Sequence, residues 1–422
     1  MADAPTTVSK LSGYFKERYA SALENAQPKG LHLMHDIRFA QRDQQPGNEF
    51  HQPVLLTHEQ GFTYASNGAG AFTLNDAEAG VTQDAKVVGT QMLLKSQIDY
   101  ETAARASSSS RAFGRALDVV VENMSDSVDK RCELDCLYGQ KGIGRVATAN
   151  KTTRVITLQT TEFAAGIWAG QENAFLEFTD TTAATATLRA TLVAQISAID
   201  ISAKTVTLNS TTITSTLCDL ITDADFIWFN GQRTATAHNV YAGAHALLSA
   251  TSGTVLNINV GNFSLWQATQ TATAGALTFA KINNAMASAA GLGLDDDVIL
   301  YVNPQVWASL VNTETATALR TNDSRYSPKF KVGANGIEFY SQTGTITIKS
   351  HRYCKIGFAY AISPKYWMRV GATPKTFNLP DRGDEFFRHV DSKAAYELRA
   401  YVNQALFTKA LARGIIFTGI TA

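Results

Sequence analysis

The first fifty residues combine a short amphipathic segment with polar chain. Their apolar positions have helical spacing and predict one short helix; they are Leu11, Tyr14, Phe15, Tyr19 and Leu23. The polar stretch 42–49 that follows has the composition of a loop. Neither part can form a core of its own, so residues 1–50 are predicted to be an extended N-terminal arm.

Residues 51–100 are predicted to form one long hairpin, because apolar and polar residues alternate along two limbs. The apolar set is Val54, Leu56, Phe62 and Tyr64 on the first limb and Val81, Val87, Met92, Leu94 and Ile98 on the second. The segment 65–80 is rich in glycine and small residues and predicts a flexible tip. A two-stranded ribbon is marginal in water, and no nearby segment is apolar enough to receive it. We therefore expect the hairpin to dock onto a neighbouring copy of the chain.

A long helix is predicted over residues 107–138. Its apolar positions recur mostly at steps of three and four; they are Phe113, Leu117, Val120, Val121, Met124, Val128, Cys132 and Cys136. Ser109 or Ser110 is placed to cap the N-terminus, and Gly139 to end the helix. At 1.5 Å per residue the rod is about 45 Å long, which exceeds the average globular helix.

From residue 145 to 275 the chain is crowded with Thr, Ala and Ser and repeats short alternating runs. The clearest run, 194–208, predicts a hairpin with β-branched residues on both limbs. Low-complexity disorder is the competing interpretation of such a composition. Because the alternation recurs, we favour a small antiparallel β module inserted at 151–220.

Mixed helix and strand signals follow from residue 276. A helical pattern ends at Gly291, and the apolar run 298–302 predicts a buried strand. Asn303 and Pro304 then supply an N-cap and a proline at the first helical position. Further strands are predicted at 345–348, 355–362, 395–406 and 414–420.

Composition and charge favour a self-associating protein. The chain has 422 residues, of which 45% are hydrophobic and only 18% charged. Lys plus Arg and Asp plus Glu number 37 each, so the net charge is zero. Zero net charge favours association over solubility, and it argues against a dedicated nucleic-acid binder. The N-terminus lacks a signal peptide, and no apolar run is long enough to predict a membrane span.

Candidate reactive residues are few, and each has a structural explanation. His32, His35 and Asp36, with His51, His58 and Glu59, lie in arm and loop without the organised helix of a zinc site. The four cysteines are too sparse for a disulfide framework, so we expect reduced thiols. Cys132 and Cys136 lie one turn apart on an apolar stripe and are interpreted as core.

The run Asp295, Asp296 and Asp297 lacks the spacing of a calcium loop and is interpreted as polar surface. Nucleophile elbows, phosphate loops and dinucleotide motifs are absent from the sequence. We therefore predict no enzymatic activity, no cofactor and no metal.

The order of elements resembles the Hong Kong 97-type coat fold of tailed-bacteriophage major capsid proteins. The passage 291–307, GLGLDDDVILYVNPQVW, is similar to a helix–strand–VNP segment of that family, and 262–269, NFSLWQAT, resembles the segment that approaches its axial domain. The resemblance implies an α+β fold. Its expected parts are an N-arm (1–50), an E-loop hairpin (51–100), a peripheral domain (101–150 and 380–422) with its spine helix, the inserted β module (151–220) and an axial domain (221–379).

The resemblance further implies a shell subunit that forms hexamers and pentamers around double-stranded DNA. A portal, a separate scaffolding protein and in some shells a decoration protein are the implied partners, with weak non-specific DNA contact and no membrane. Subunit contacts are expected at aromatic and charged positions; the candidates are Tyr14, Phe15, Phe62, Tyr64, Phe72, Arg382, Asp384, Glu385, Phe386, Phe387 and Arg388. An encapsulin-type compartment and a β-rich tail or decoration protein are the alternatives.

Overall fold

The computed structural model describes residues 33–40, 49–105, 116–189, 194–312, 336–341, 344–378, 388–390 and 393–421. The chain divides into two compact units. Of the described residues, 93–128 and 377–400 belong to the smaller unit, and 33–92, 129–376 and 401–421 to the larger one.

Helices and strands alternate along the chain, and most of the helices are short. The helices are α1 (Leu33–Asp36), α2 (Tyr100–Arg105), α3 (Ala116–Tyr138), α4 (Ala165–Trp168), α5 (Ser215–Cys218), α6 (Ala244–Leu248), α7 (Phe279–Gly291) and α8 (Pro304–Asn312). The first strands are β1 (Glu49–Leu55), β2 (Thr82–Val88), β3 (Thr90–Asp99), β4 (Gly144–Asn150), β5 (Val155–Leu158), β6 (Phe175–Thr179), β7 (Ala194–Asp200), β8 (Thr205–Leu208), β9 (Phe226–Phe229), β10 (Thr254–Val255) and β11 (Ile258–Asn259). The later strands are β12 (Thr269–Gly275), β13 (Val298–Val302), β14 (Gly336–Ser341), β15 (Gly344–Ser350), β16 (Phe358–Ile362), β17 (Trp367–Thr376), β18 (Arg388–His389), β19 (Ala395–Thr408) and β20 (Ile415–Ile420).

The smaller unit contains most of β3, the N-terminal part of β19 and the short strand β18. Strand β3 pairs with β19 and not with the hairpin. The prediction that residues 90–100 continue the return limb of the hairpin is therefore wrong. Lys95 and Gln97 on β3 instead contact Glu397 on β19, at 2.8 Å and 3.3 Å. The alternating pattern identified the strand, but it could not identify its partner.

The core of the larger unit is a six-stranded sheet in the order β12-β20-β16-β13-β15-β14. Its central strand β13 is parallel to β15 and antiparallel to β16. The predicted helix start at Asn303 is confirmed, because its side chain accepts a hydrogen bond from the Gln305 amide at 2.9 Å. The strand predicted before it and the helix predicted to end at Gly291 are also present, as β13 and α7.

Residues 144–229 form a closed barrel in the order β4-β5-β8-β7-β6-β9. The barrel includes more residues than the predicted module 151–220, since it begins with β4 and ends with β9. The regular pairing excludes disorder for its described residues. Helix α3 holds the barrel from one side: the Arg131 guanidinium lies 3.3 Å from the ring centroid of Phe229, and Lys130 donates to the Ala169 carbonyl at 2.7 Å.

Helix α3 also carries a fully buried carboxylate, Glu133, which joins three segments of the larger unit. It accepts hydrogen bonds from the amides of Leu33 at 2.7 Å and Met34 at 3.0 Å, and it pairs with His351 Nε2 at 2.7 Å. Burial opposes the charge, but the contact with His351 and the two amides outweigh it, so the pKa of Glu133 lies below its usual value of 4.5. The described end of the arm is thereby fixed to the helix.

Among the described residues, no helix is both long enough and apolar enough to cross a lipid bilayer.

We predict that Glu133→Gln destabilises the protein at pH 7 by about 3 kcal/mol, because His351 loses its buried partner. Since the folded-state pKa is lowered, the contribution of Glu133 is fully present above about pH 4.5 and is lost as the pH falls through the folded value. Urea unfolding at pH 7 and at pH 3–4 measures this. The gap between wild type and variant should shrink in acid.

Glu338→Gln provides the control, because Glu338 is an exposed carboxylate on β14. Its unfolding curves should match the wild type at both pH values. A gap for Glu133→Gln that is the same at both would contradict the prediction.

Candidate assembly surface

The hairpin of β1 and β2 has a base that packs on its own chain. The two strands pair from Glu49 opposite Val88 to Leu55 opposite Thr82. Ala85 is fully buried, and the ring of Phe50 lies edge-on to Phe407 with centroids 4.8 Å apart. The expectation that the hairpin docks onto a neighbouring copy is therefore wrong for its base, which packs on its own chain. Residues far along the chain supply the missing apolar surface.

Backbone contacts with the β10–β11 hairpin fix the position of β2. The Lys86 amide donates to the Leu256 carbonyl, and the Asn257 side-chain amide donates to the Asp84 carbonyl, both at 3.0 Å. Leu256 and Asn257 have φ values of 50° and 70° and form the turn between β10 and β11. Two successive residues with positive φ are typical of a tight hairpin turn.

A small cluster of polar and ionisable side chains lies across the hairpin base. His51 Nδ1 is 2.6 Å from Asp84, its Nε2 is 3.3 Å from Glu49, and Lys86 is 3.5 Å from Glu49. All four side chains are about one-third to one-half exposed, so each pair contributes little to stability. Within the described part of the chain, no three His, Cys, Asp or Glu side chains are grouped in a way that could hold a metal ion.

Beyond the strands, residues 56–81 form a loop whose two sides are linked mainly by single hydrogen bonds. The Leu56 amide donates to the Val81 carbonyl at 2.9 Å, and the Gln60 amide donates to the Glu78 carbonyl at 2.8 Å. Nearer the tip, Asn75 bonds across to Thr63 and to the Phe62 carbonyl, both at 2.8 Å. The two sides of the loop are thus held together across its width, while most of its side chains are exposed.

The loop and its flank expose an unusual number of large apolar side chains. Phe62 is 66% exposed, Tyr64 91% and Phe72 52%. Leu74 and Leu55 are exposed too, although the sequence did not mark them as contacts. Leu74 follows Phe72 at a step of two, which is the signal that could have identified it. Exposed apolar groups concentrated on one segment indicate a binding surface.

The remaining predicted contact residues are mostly beyond what the structure describes. Of the C-terminal run, Arg388 is described, and it lies on β18 opposite Glu397. The other predicted contacts lie outside the described residues; they are Tyr14, Phe15, Arg382, Asp384, Glu385, Phe386 and Phe387. The structure thus places Phe62, Tyr64 and Phe72 on one loop.

The candidate reactive residues have structural roles in the described chain. Asp296 pairs with Lys365 at 2.7 Å, Asp295 with Arg413 at 3.2 Å, and Asp297 accepts from the Thr345 amide at 2.8 Å. Cys132 and Cys136 are buried, and burial raises the pKa of Cys136 to about 12. A thiol with so high a pKa is not a nucleophile at neutral pH. The interpretations as polar surface and as core are both confirmed.

No family model and no curated protein matches the chain. Among solved structures, the chain is similar to a chain in the structure of the Cyanophage A-1(L) capsid asymmetric unit. The TM-score is 0.57 at 11% identity, covering 99% of this chain and 100% of that one. The capsid of Myoviridae phage XM1 matches with a TM-score of 0.48 at 10% identity, covering 99% of this chain and 100% of that one.

The likeness to the cyanophage capsid chain establishes the fold. It extends over essentially the full length of both chains and is not confined to one domain. The predicted fold class, an α+β Hong Kong 97-type capsid fold, is thereby confirmed.

We predict that Asn257→Ala loosens the hairpin base, because it removes the hydrogen bond to Asp84 and places alanine at a positive φ. Hydrogen–deuterium exchange of the Lys86 amide should be roughly tenfold faster, in line with a loss of about 1.4 kcal/mol in opening free energy. Asn257→Gly keeps the backbone conformation and should have a smaller effect.

The matched control is Asn262→Ala, at an exposed position a few residues away. It should leave the Lys86 amide unchanged. Unaltered exchange in Asn257→Ala would show that this contact does not hold the hairpin.

Proposed function

We propose that the chain is the major capsid protein of a tailed bacteriophage, which self-assembles into an icosahedral shell around double-stranded DNA. The observation that carries the proposal is the full-length likeness to a chain of the Cyanophage A-1(L) capsid. This likeness spans two whole chains and not one domain, which supports a comparable role for the whole subunit.

The exposed apolar loop adds a physical reason for self-association. Phe62, Tyr64 and Phe72 are unfavourable in water, and burial of a large side chain contributes roughly 1.5–3 kcal/mol. Zero net charge removes the long-range repulsion that would keep copies apart. The loop therefore gains most from apolar burial when a second copy covers it.

The proposal assigns parts to the chain in the order that the family resemblance implies. Residues 1–50 would act as the N-arm and 51–100 would contain the E-loop. The spine helix of 107–138 would lie in a peripheral domain made of 101–150 and 380–422, and 221–379 would form the axial domain. The contact residues are those already named from Tyr14 to Arg388. We assign the subunit no enzymatic role, because the acidic run and the cysteines are held in structural contacts.

Partners follow from the same proposal. Copies would form hexamers and pentamers, with a portal and a separate scaffolding protein in the assembling shell and a decoration protein as a further option. Contact with packaged DNA would be weak and non-specific, since a chain of zero net charge releases few counterions on binding.

We predict that the purified chain, alone or co-expressed with its scaffolding protein, forms closed particles of shell size. Size-exclusion chromatography followed by negative-stain electron microscopy tests this. Persistent monomers under both conditions would count against the proposal. Particles that enclose a cellular enzyme instead of scaffold or DNA would favour an encapsulin-type compartment, and open tubes would favour a tail protein.

We predict that Phe62→Ser combined with Tyr64→Ser reduces the yield of particles without unfolding the subunit. Both side chains are exposed, so the free energy of unfolding should change by less than about 0.5 kcal/mol. Particle yield measured by sedimentation should fall several-fold, because the apolar contacts are lost at every repeated interface.

Phe175→Ser is the matched control, since Phe175 is an aromatic residue of the barrel that is 45% exposed. An equal loss of particles in that control would show that general surface polarity, and not the loop, decides assembly. Full yield in the loop variant would contradict the assignment of Phe62 and Tyr64.

A further inference from the structure

The barrel contains the same series of elements twice. In its first half β4, β5, α4 and β6 follow one another, and in its second half β7, β8, α5 and β9 repeat that order about 50 residues later. The spacing is constant through most of the unit: β5 begins at Val155 and β8 at Thr205, while α4 begins at Ala165 and α5 at Ser215.

The turn between the first two strands has the same conformation in both halves. Arg154 and Lys204, which precede β5 and β8, have φ values of 57° and 55°. Each turn opens with an acceptor side chain: Asn150 accepts from an amide three residues later at 3.1 Å, and Asp200 does so at 2.9 Å. A positive φ outside glycine is uncommon, so its recurrence at equivalent positions is specific.

The first strand of each half is also irregular at the same place. The register shifts between Val146 and Thr148 in β4, and between Ile196 and Ala198 in β7. A β-bulge re-aims the following side chains and increases the local twist. The two halves therefore bend their first strands alike.

Contacts between the halves are reciprocal. The Leu158 amide donates to the Lys204 carbonyl and the Leu208 amide to the Arg154 carbonyl, both at 2.9 Å. Exchanging the halves converts one hydrogen bond into the other. The strand order is also unchanged when the halves are exchanged. Strand β5 of the first half pairs with its equivalent β8, and the pair β4–β9 corresponds to the pair β7–β6. The halves are thus related by a pseudo-two-fold axis.

The two halves differ in the contacts of the loop that follows β5 in the first half and β8 in the second. In the first half this loop, residues 160–168, is held by the segment 351–357: the Ile356 amide donates to Phe163 at 3.0 Å, and Lys355 pairs with Glu162 at 2.6 Å. Gly166 is buried, and a Cβ there would lie 2.5 Å from the Arg352 carbonyl oxygen. In the second half, residues 210–218, the equivalent of Gly166 is Thr216, which is exposed.

We infer that residues 144–229 are a tandem duplication in which equivalent positions lie about 50 residues apart, and that the loop of the first copy alone anchors the barrel to the segment 351–357. Glycine at 166 and glutamate at 162 adapt the first copy to this contact. The second copy has threonine at both equivalent positions, 216 and 212. This inference stands independently of the proposed function.

Exchanging the equivalent residues tests the anchor in the full-length chain. Gly166→Thr should speed hydrogen–deuterium exchange of the Ile356 and Gly357 amides at least tenfold and lower the thermal midpoint, because the side chain clashes with Arg352. Thr216→Gly, the reciprocal change, should leave both amides unchanged. Equal effects of the two variants would overturn the single-copy anchor.

A milder variant keeps this test decisive if Gly166→Thr does not fold. Glu162→Gln preserves the shape of the loop and removes the charge that Lys355 faces, so the same two amides should exchange faster. Protection at the wild-type level in that variant would overturn the inference.

Exchange of the turns tests the duplication itself. A chain in which residues 151–154 and 201–204 are swapped should unfold at the wild-type midpoint, since both turns have one conformation. Asn150→Ala and Asp200→Ala should lower the midpoint by similar amounts. A swapped chain that loses the barrel, or a loss confined to one of the two alanine variants, would show that the halves are not equivalent.

Discussion

The larger unit depends on a carboxylate that has no access to water. Glu133 is fully buried on α3, and an unpaired charge there would cost several kcal/mol. The charge is therefore possible only while the arm amides at 33 and 34 and the ring of His351 surround it. Because these three segments are far apart in the chain, the carboxylate makes their arrangement around the helix interdependent.

The hairpin divides into a base that the chain stabilises itself and a loop that it leaves uncovered. Ala85 and Phe50 pack within the larger unit, while Tyr64 is almost fully exposed. A rigid base presents the loop in one orientation, so less conformational entropy is lost when a partner covers it. This combination suits a subunit that must make the same contact many times.

The barrel begins and ends at one place and is held by the surrounding chain. Its first and last strands are neighbours, with Gly144 opposite Ile227, so the chain leaves the barrel close to where it enters. Two residues outside the barrel contact it. The Arg131 guanidinium packs on the ring of Phe229, and Lys355 pairs with Glu162.

Several local elements could be predicted from the sequence, because their signals are local. Periodicity indicated α7, β13 and the β7–β8 hairpin, and the spacing of Cys132 and Cys136 marked a buried stripe. The sequence also indicated Phe62, Tyr64 and Phe72 as candidate contact residues. The three-dimensional structure was needed to show that β3 pairs with β19 and that Phe407 and Leu256 contact the hairpin base. It was also needed to show that the barrel has two similar halves. Strand partners and buried hydrogen-bonded pairs such as Glu133 with His351 join residues hundreds of positions apart, and the pattern of one segment carries no information about its partner.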